Sequence, residues 1–109
     1  MLINRYDYLF IESEGIPNKF ALHENYPNPF NPTTQIRFDI PEMSSVNLTI
    51  YNMLGQKVKV FNMESAPAGY HALTWNATNE LGAPVSAGVY LYQLQTKGFV
   101  KTKKMVLLK

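Results

Sequence analysis

From Lys19 onward, apolar side chains recur at every second position, the period of an extended strand and not of a helix. Lys19–His23 places Phe20 and Leu22 on one face. Thr34–Ile40 sets Ile36, Phe38 and Ile40 against Gln35, Arg37 and Asp39. Ser45–Asn52 points Val46, Leu48 and Ile50 inward, with Asn47 and Thr49 outward. Gln56–Asn62 predicts Val58 and Val60 inside, and Lys57 and Lys59 outside. Tyr70–Asn76 offers Leu73 and Trp75 on one face. Gly88–Thr96 divides into Val89 and Leu91 on one side and Tyr90, Tyr92 and Leu94 on the other. Phe99–Leu108 closes the series. The segments are rich in β-branched and aromatic residues, which suit a pleated, half-buried surface.

Turn-forming residues separate the segments at Pro41–Ser45, Asn52–Gln56, Glu64–Gly69, Ala77–Gly88 and Thr96–Gly98. Gly55 supplies the positive φ of a tight turn. These connections predict hairpins. Strands at this spacing leave no room for helical crossovers, so the expected fold is all-β: an immunoglobulin-like antiparallel β-sandwich of about seven strands. The Cys…Trp…Cys signature of antibody domains is absent, so the expectation concerns architecture alone.

One connection is unusual. Pro27, Pro29 and Pro32 stand close together in Asn25–Thr34. Proline donates no ladder hydrogen bond and biases the preceding residue towards extended geometry. The segment is therefore expected to be a stiff, non-pairing connector that crosses between the sheets, with Phe30 pinning it to the core. Residues Met1–Asn18 do not share the pattern. They are read as the end of a preceding domain or a linker, and Lys19–Lys109 as the domain. The alternation of Tyr6, Tyr8 and Phe10 leaves an extra edge strand of the same domain as the alternative.

Composition narrows the classes. The 109 residues suit one domain, with 46% hydrophobic and 17% charged residues arguing for a folded core. A net charge of +2 does not point to nucleic acid. The absence of cysteine removes disulfides and thiolate chemistry. No apolar run approaches the ~20 residues of a transmembrane helix, so no integral membrane segment is expected. The run Tyr8–Ile11 is shorter than the ~7–15 residues of a signal-peptide core. Any export signal of that type is expected outside this chain, which would then be part of a longer protein.

Catalytic chemistry finds no constellation. His23 and His71 are far apart in sequence, and a lone strand histidine is more often structural. The carboxylates form no calcium-loop pattern, and the loop Trp75–Gly82 holds only Glu80. Nucleophile-elbow, phosphate-loop and zinc-helix motifs are missing. Asn47 and Asn76 match a glycosylation sequon, a pattern short enough to arise by chance. Lysines gather at Lys97, Lys101, Lys103, Lys104 and Lys109. They protect an edge strand against edge-to-edge pairing, or form a docking strip for a partner. The apolar end Met105–Lys109 is a paired core strand, a recognition tag, or both.

Four blocks in order, Leu22–Pro41, Leu48–Val58, Ala68–Thr96 and Phe99–Lys109, resemble the type IX secretion system C-terminal sorting domain, type A. The likeness spans about Phe20–Lys109. The central part is also similar to the immunoglobulin-like domain of flagellar hook-capping proteins. The resemblance implies a non-catalytic β-sandwich at the C-terminus of secreted bacterial cargo. An outer-membrane translocon and its shuttle protein would read it, and a sortase-like surface protease would remove it. The cargo would reach the cell surface or the medium, with no cofactor and no nucleic acid involved. The family's motif positions fall on Pro27, Asn28 and Pro29, on Leu54, Gly55 and Gln56, and on Gly88, Val89 and Tyr90. The terminal group is Lys103, Lys104, Met105, Val106, Leu107, Leu108 and Lys109. Asn76 departs from the family, many of whose members carry aspartate after the tryptophan. Two other classes remain: an assembly module of the hook-cap kind, and a carbohydrate-binding module using Tyr51, Tyr70, Tyr90 and Tyr92.

Overall fold

All seven alternating segments become strands in the computed structural model, which describes residues 15–109. They are β1 (Ala21–Leu22), β2 (Thr34–Ile40), β3 (Ser44–Tyr51), β4 (Lys57–Ala66), β5 (Gly69–Trp75), β6 (Gly88–Gln95) and β7 (Val100–Leu107). One sheet has the order β1-β2-β5 and the other β4-β3-β6-β7, with every pairing antiparallel. The reading of Tyr6–Phe10 as linker or edge strand lies outside the described residues.

The core follows the alternation. Ile36, Phe38 and Ile40 of β2 face Val46, Leu48 and Ile50 of β3 and Tyr90, Tyr92 and Leu94 of β6, all buried. Trp75 sits among Phe30 and Tyr90, at ring centroid distances of 5.9 and 5.5 Å. Its Nε1–H donates to the Thr78 carbonyl at 2.8 Å, so the one polar atom of the indole is satisfied. His71 faces inward and stacks on Phe38 at 5.2 Å, while its Nε2 lies 2.8 Å from the Pro67 carbonyl. That is a structural histidine.

Three expectations are corrected. Of the five connections expected to be hairpins, two are, β3–β4 and β6–β7; the β2–β3, β4–β5 and β5–β6 connections cross between sheets. Alternation tells which side chains face the core, but an inward face looks the same in either sheet. Second, β4 keeps Val58 against the core and Lys57 exposed, but Lys59 and Val60 exchange sides. A register shift between Ile50 and Tyr51 of β3 sets Lys59 across from Ile50 and Val60 across from Thr49. Lys59 thus lies on the inner side at the sheet edge, its ammonium over the Phe61 ring at 5.7 Å from the centroid and 3.8 Å from Glu80. Such bulges are common on edge strands, and they shift the facing of every residue beyond them. The strand also runs on to Ala66, leaving Pro67 and Ala68 as the turn.

Third, the proline-rich connector joins β1 to β2 within one sheet instead of passing between sheets, and it does pair. Tyr26 exchanges two backbone hydrogen bonds with Gln35 of β2, each 2.9 Å. Phe30 then bridges to the outer edge of β7: its N–H donates to the Val106 carbonyl, and its own carbonyl accepts from the Leu108 N–H, both at 2.9 Å. The Asn28 side chain accepts from the Val106 N–H at 3.0 Å. The prolines alternate with residues that do pair, so the segment stitches one sheet to the other.

A buried polar cluster holds the connector from beneath. The Tyr92 hydroxyl accepts from the Asn25 N–H at 2.9 Å and donates to the His23 carbonyl at 2.8 Å. The Asn25 amide donates to Thr34 Oγ1, and Thr34 donates to the Pro27 carbonyl. Burial pushes the Tyr92 phenol up to about 12 from its ordinary 10.0; the Asn25 hydrogen bond works against this, and the Glu24 charge adds to it. Below pH 10 the phenol is protonated in both folded and unfolded chains, and its contribution is complete. Between about 10 and 12 the unfolded chain loses the proton first, so stability falls as pH rises. Tyr92→Phe is expected to flatten that alkaline slope, with Tyr90, also raised by burial, keeping its share. The variant should lose about 1–3 kcal/mol at neutral pH by leaving the buried Asn25 N–H unpartnered. Urea midpoints from pH 7 to 11 check both effects.

Candidate functional site

The fold gathers the predicted motif positions at one end of the sandwich. β3 ends, β4 and β6 begin and β7 ends there. Tyr51 pairs with Leu91, which pairs with Lys104. Beyond that level, Tyr90, Val89 and Gly88 pair with Met105, Val106 and Leu107. The β3–β4 turn, with Leu54, Gly55 and Gln56, lies past Tyr51 at the same end. Asn28 reaches the group through its bond to Val106. Four blocks widely spaced in the chain thus become one surface.

Within it the roles differ. Met105, Leu107 and Tyr90 are buried, and Tyr90 donates to the Ser86 carbonyl at 2.6 Å. These three build the platform. Pro27, Asn28, Pro29, Leu54, Gly55, Gln56, Lys104, Leu108 and Lys109 are exposed. Gly88, Val89 and Val106 are half-buried. Lys103 is held by Glu24 at 3.1 Å, and the Lys109 ammonium donates to the Val85 carbonyl at 2.6 Å.

Sequence reasoning missed one element of this end. Asn79-Glu80-Leu81-Gly82-Ala83 repeats the bonds that the asparagine of the loop Asn52-Met53-Leu54-Gly55-Gln56 makes to the backbone. In each, the asparagine side-chain oxygen accepts from the leucine N–H and from the N–H four residues on, all at 2.9–3.0 Å. Each asparagine N–H donates to the carbonyl four residues on, and its carbonyl accepts from the glycine N–H. Gly55 and Gly82 have φ of +82° and +81°, a region other residues reach only with strain. Each loop lifts its leucine into solvent: Leu54 is 83% exposed and Leu81 92%. The repeated Asn-x-Leu-Gly pattern was the available signal. The loops are neighbours, because Glu80 accepts from the Val60 N–H of β4 at 2.6 Å. That bond occupies the one carboxylate of the second loop and covers part of the β4 edge.

Exposed large apolar side chains concentrate at the ends of the sandwich. Tyr26, Met53, Leu54, Leu81 and Leu108 crown the end just described. Ile16, Met43, Tyr70 and Val100 lie at the opposite end. Among the described residues there is no cluster of three or more histidines or carboxylates able to hold a metal. The tyrosines considered for sugar binding do not share a face: Tyr90 and Tyr92 are core residues, and Tyr70 is at the far end.

Comparison with known proteins adds the family. The model of the secretion system C-terminal sorting domain matches residues 24–108. No curated protein matches the chain. Among solved structures, dimeric latent PorU from Porphyromonas gingivalis is similar with a TM-score of 0.65 and 21% identity, over 82% of this chain and 9% of that one. PorZ from the same organism, a surface component of the type-IX secretion system, is similar with a TM-score of 0.57 and 20% identity, over 82% and 12%. FlgD from Xanthomonas campestris, a hook-capping protein, gives 0.55 and 19%, over 80% and 64%. At these identities the likeness is one of fold. The chain spans a small part of the two Porphyromonas proteins.

Proposed function

This chain belongs to the family of secretion-system C-terminal sorting domains, and on that footing we propose that it is the non-catalytic address of a type IX cargo. Residues 19–109 are the sorting domain, and residues 1–18 the end of the cargo or its linker. An outer-membrane translocon and its shuttle protein read the domain; a sortase-like surface protease then removes it. The cargo reaches the cell surface or the medium.

The observation that carries this reading is the convergence of Pro27–Pro29, Leu54–Gln56, Gly88–Tyr90 and Lys103–Lys109 on one end. A receptor that recognises a folded domain needs a rigid surface assembled from distant segments. The two asparagine-locked loops meet that need, since their leucines stand exposed without ordering anything on binding.

The test is an export assay. The full chain is fused behind a fluorescent protein bearing a periplasmic signal, in a host with type IX secretion. The parent is expected outside the cell with its tail cut off, as read by intact mass. Leu54→Glu with Leu81→Glu is expected to stay in the periplasm, folded, because exposed positions shift stability by only about 0.5 kcal/mol. Export of that variant at the parental level would remove the loops from the recognition surface. Retention of the parent, while an established sorting domain passes, would remove the sorting function itself.

A further inference from the structure

The flank between β1 and β7 has the features of a receptor site for an extended strand. β1 is the edge of one sheet and β7 the edge of the other. Between them runs a groove of about 290 Å³, lined by Lys19, Phe20, Ala21, Leu22, Phe99, Lys101 and Lys103. In it the Phe20 and Phe99 rings stack at 5.6 Å.

The β7 backbone decides what fits. Val106 and Leu108 turn their N–H groups outward, away from β6, to Asn28 and Phe30. The β6–β7 register runs without a shift from Leu107 back to Val100. By the two-residue period, Lys104 and Thr102 turn their backbone groups the same way. Among the described residues, those groups have no hydrogen-bond partner. The connector therefore caps the upper edge, and among the described residues nothing pairs with the outer side of Val100–Lys104. An open edge recognises another strand by main-chain hydrogen bonds and selects it by alternate side chains.

Charge selects the partner. Lys19 and Lys101 are exposed, and neither has a salt-bridge partner among the described residues; Lys103 lies between Glu24 and the groove. We propose that this flank binds an extended acidic segment of a partner protein, which adds to β7 along Val100–Lys104 and sets its carboxylates against these lysines. The site shares Lys103 and Lys104 with the leucine-tipped end but none of its leucines, and it stands whether or not that end is read by a translocon.

A blocked peptide alternating glutamate and valine is the probe, followed on the isotopically labelled full chain by NMR. Shifts are expected at Lys19–Leu22 and Phe99–Lys104, with slower amide exchange at Thr102 and Lys104. Lys19→Glu with Lys101→Glu should weaken binding at least tenfold, and the effect should shrink in high salt. Thr102→Pro should abolish binding while the fold persists, because the N–H it removes points away from β6. Several results would overturn the proposal: no binding at millimolar peptide, equal binding by a lysine–valine peptide, or binding that leaves the two amides unprotected. Sedimentation showing that the chain pairs with itself through this edge would overturn it as well.

Discussion

Deletion of Met105–Lys109 is expected to abolish the cooperative unfolding transition, whereas deletion of Leu108 and Lys109 alone leaves a folded domain. Met105 and Leu107 are buried at 0% and 1% exposure. Losing each side chain costs about 2–5 kcal/mol, and a domain of this kind has only about 5–15 kcal/mol in total. The longer deletion also removes the strand end that pairs with Gly88–Tyr90 and the Val106 groups that hold Asn28 and Phe30. Circular dichroism melts of the two truncations check this. A cooperative melt for the longer deletion would show that the terminal strand is an appendage. If it unfolds as expected, loss of export from that truncation reports loss of the fold, and recognition has to be probed by substitutions at the exposed positions.

Phe30→Ala carries the second large effect, a loss of about 3–5 kcal/mol. Phe30 is 1% exposed, its ring lies 5.9 Å from Trp75, and it is the only apolar anchor of the proline-rich connector on the core. The backbone bonds from Phe30 to β7 do not involve its side chain, but without the ring little holds that backbone in place. Amide exchange at Phe30 and Leu108 should therefore quicken more than at Ile36 or Leu48, which lie mid-strand. Asn28→Ala, which removes a single exposed hydrogen bond to Val106, should cost about 1 kcal/mol. Urea midpoints of the two variants give the comparison. Equal costs would mean that the connector is held by its polar contacts and not by the ring.

The strands were legible because their residues alternate. Ile36, Phe38 and Ile40, or Tyr90, Tyr92 and Leu94, leave only one way to bury an apolar face. β4 resisted that logic, because a bulge changes which residue faces inward without altering the local composition; Lys59 and Val60 therefore exchanged sides. The connector was misjudged for a related reason. Its prolines declare what they cannot donate, but Tyr26, Asn28 and Phe30 lie between them and keep their own hydrogen-bonding groups. The motif positions were recognisable one block at a time, and Leu81 was overlooked although its Asn-x-Leu-Gly setting repeats that of Leu54.

By itself, the sequence determined the strands, the inward faces of all but β4, the positive-φ turns and the family blocks, since each depends on residues close together in the chain. The tertiary structure alone decided which strands are neighbours, which hydrogen-bonding edges stay open, and that four distant blocks share one end. Those properties depend on the choice of partner strand, and partners are set by how two apolar faces close on each other, not by local preference.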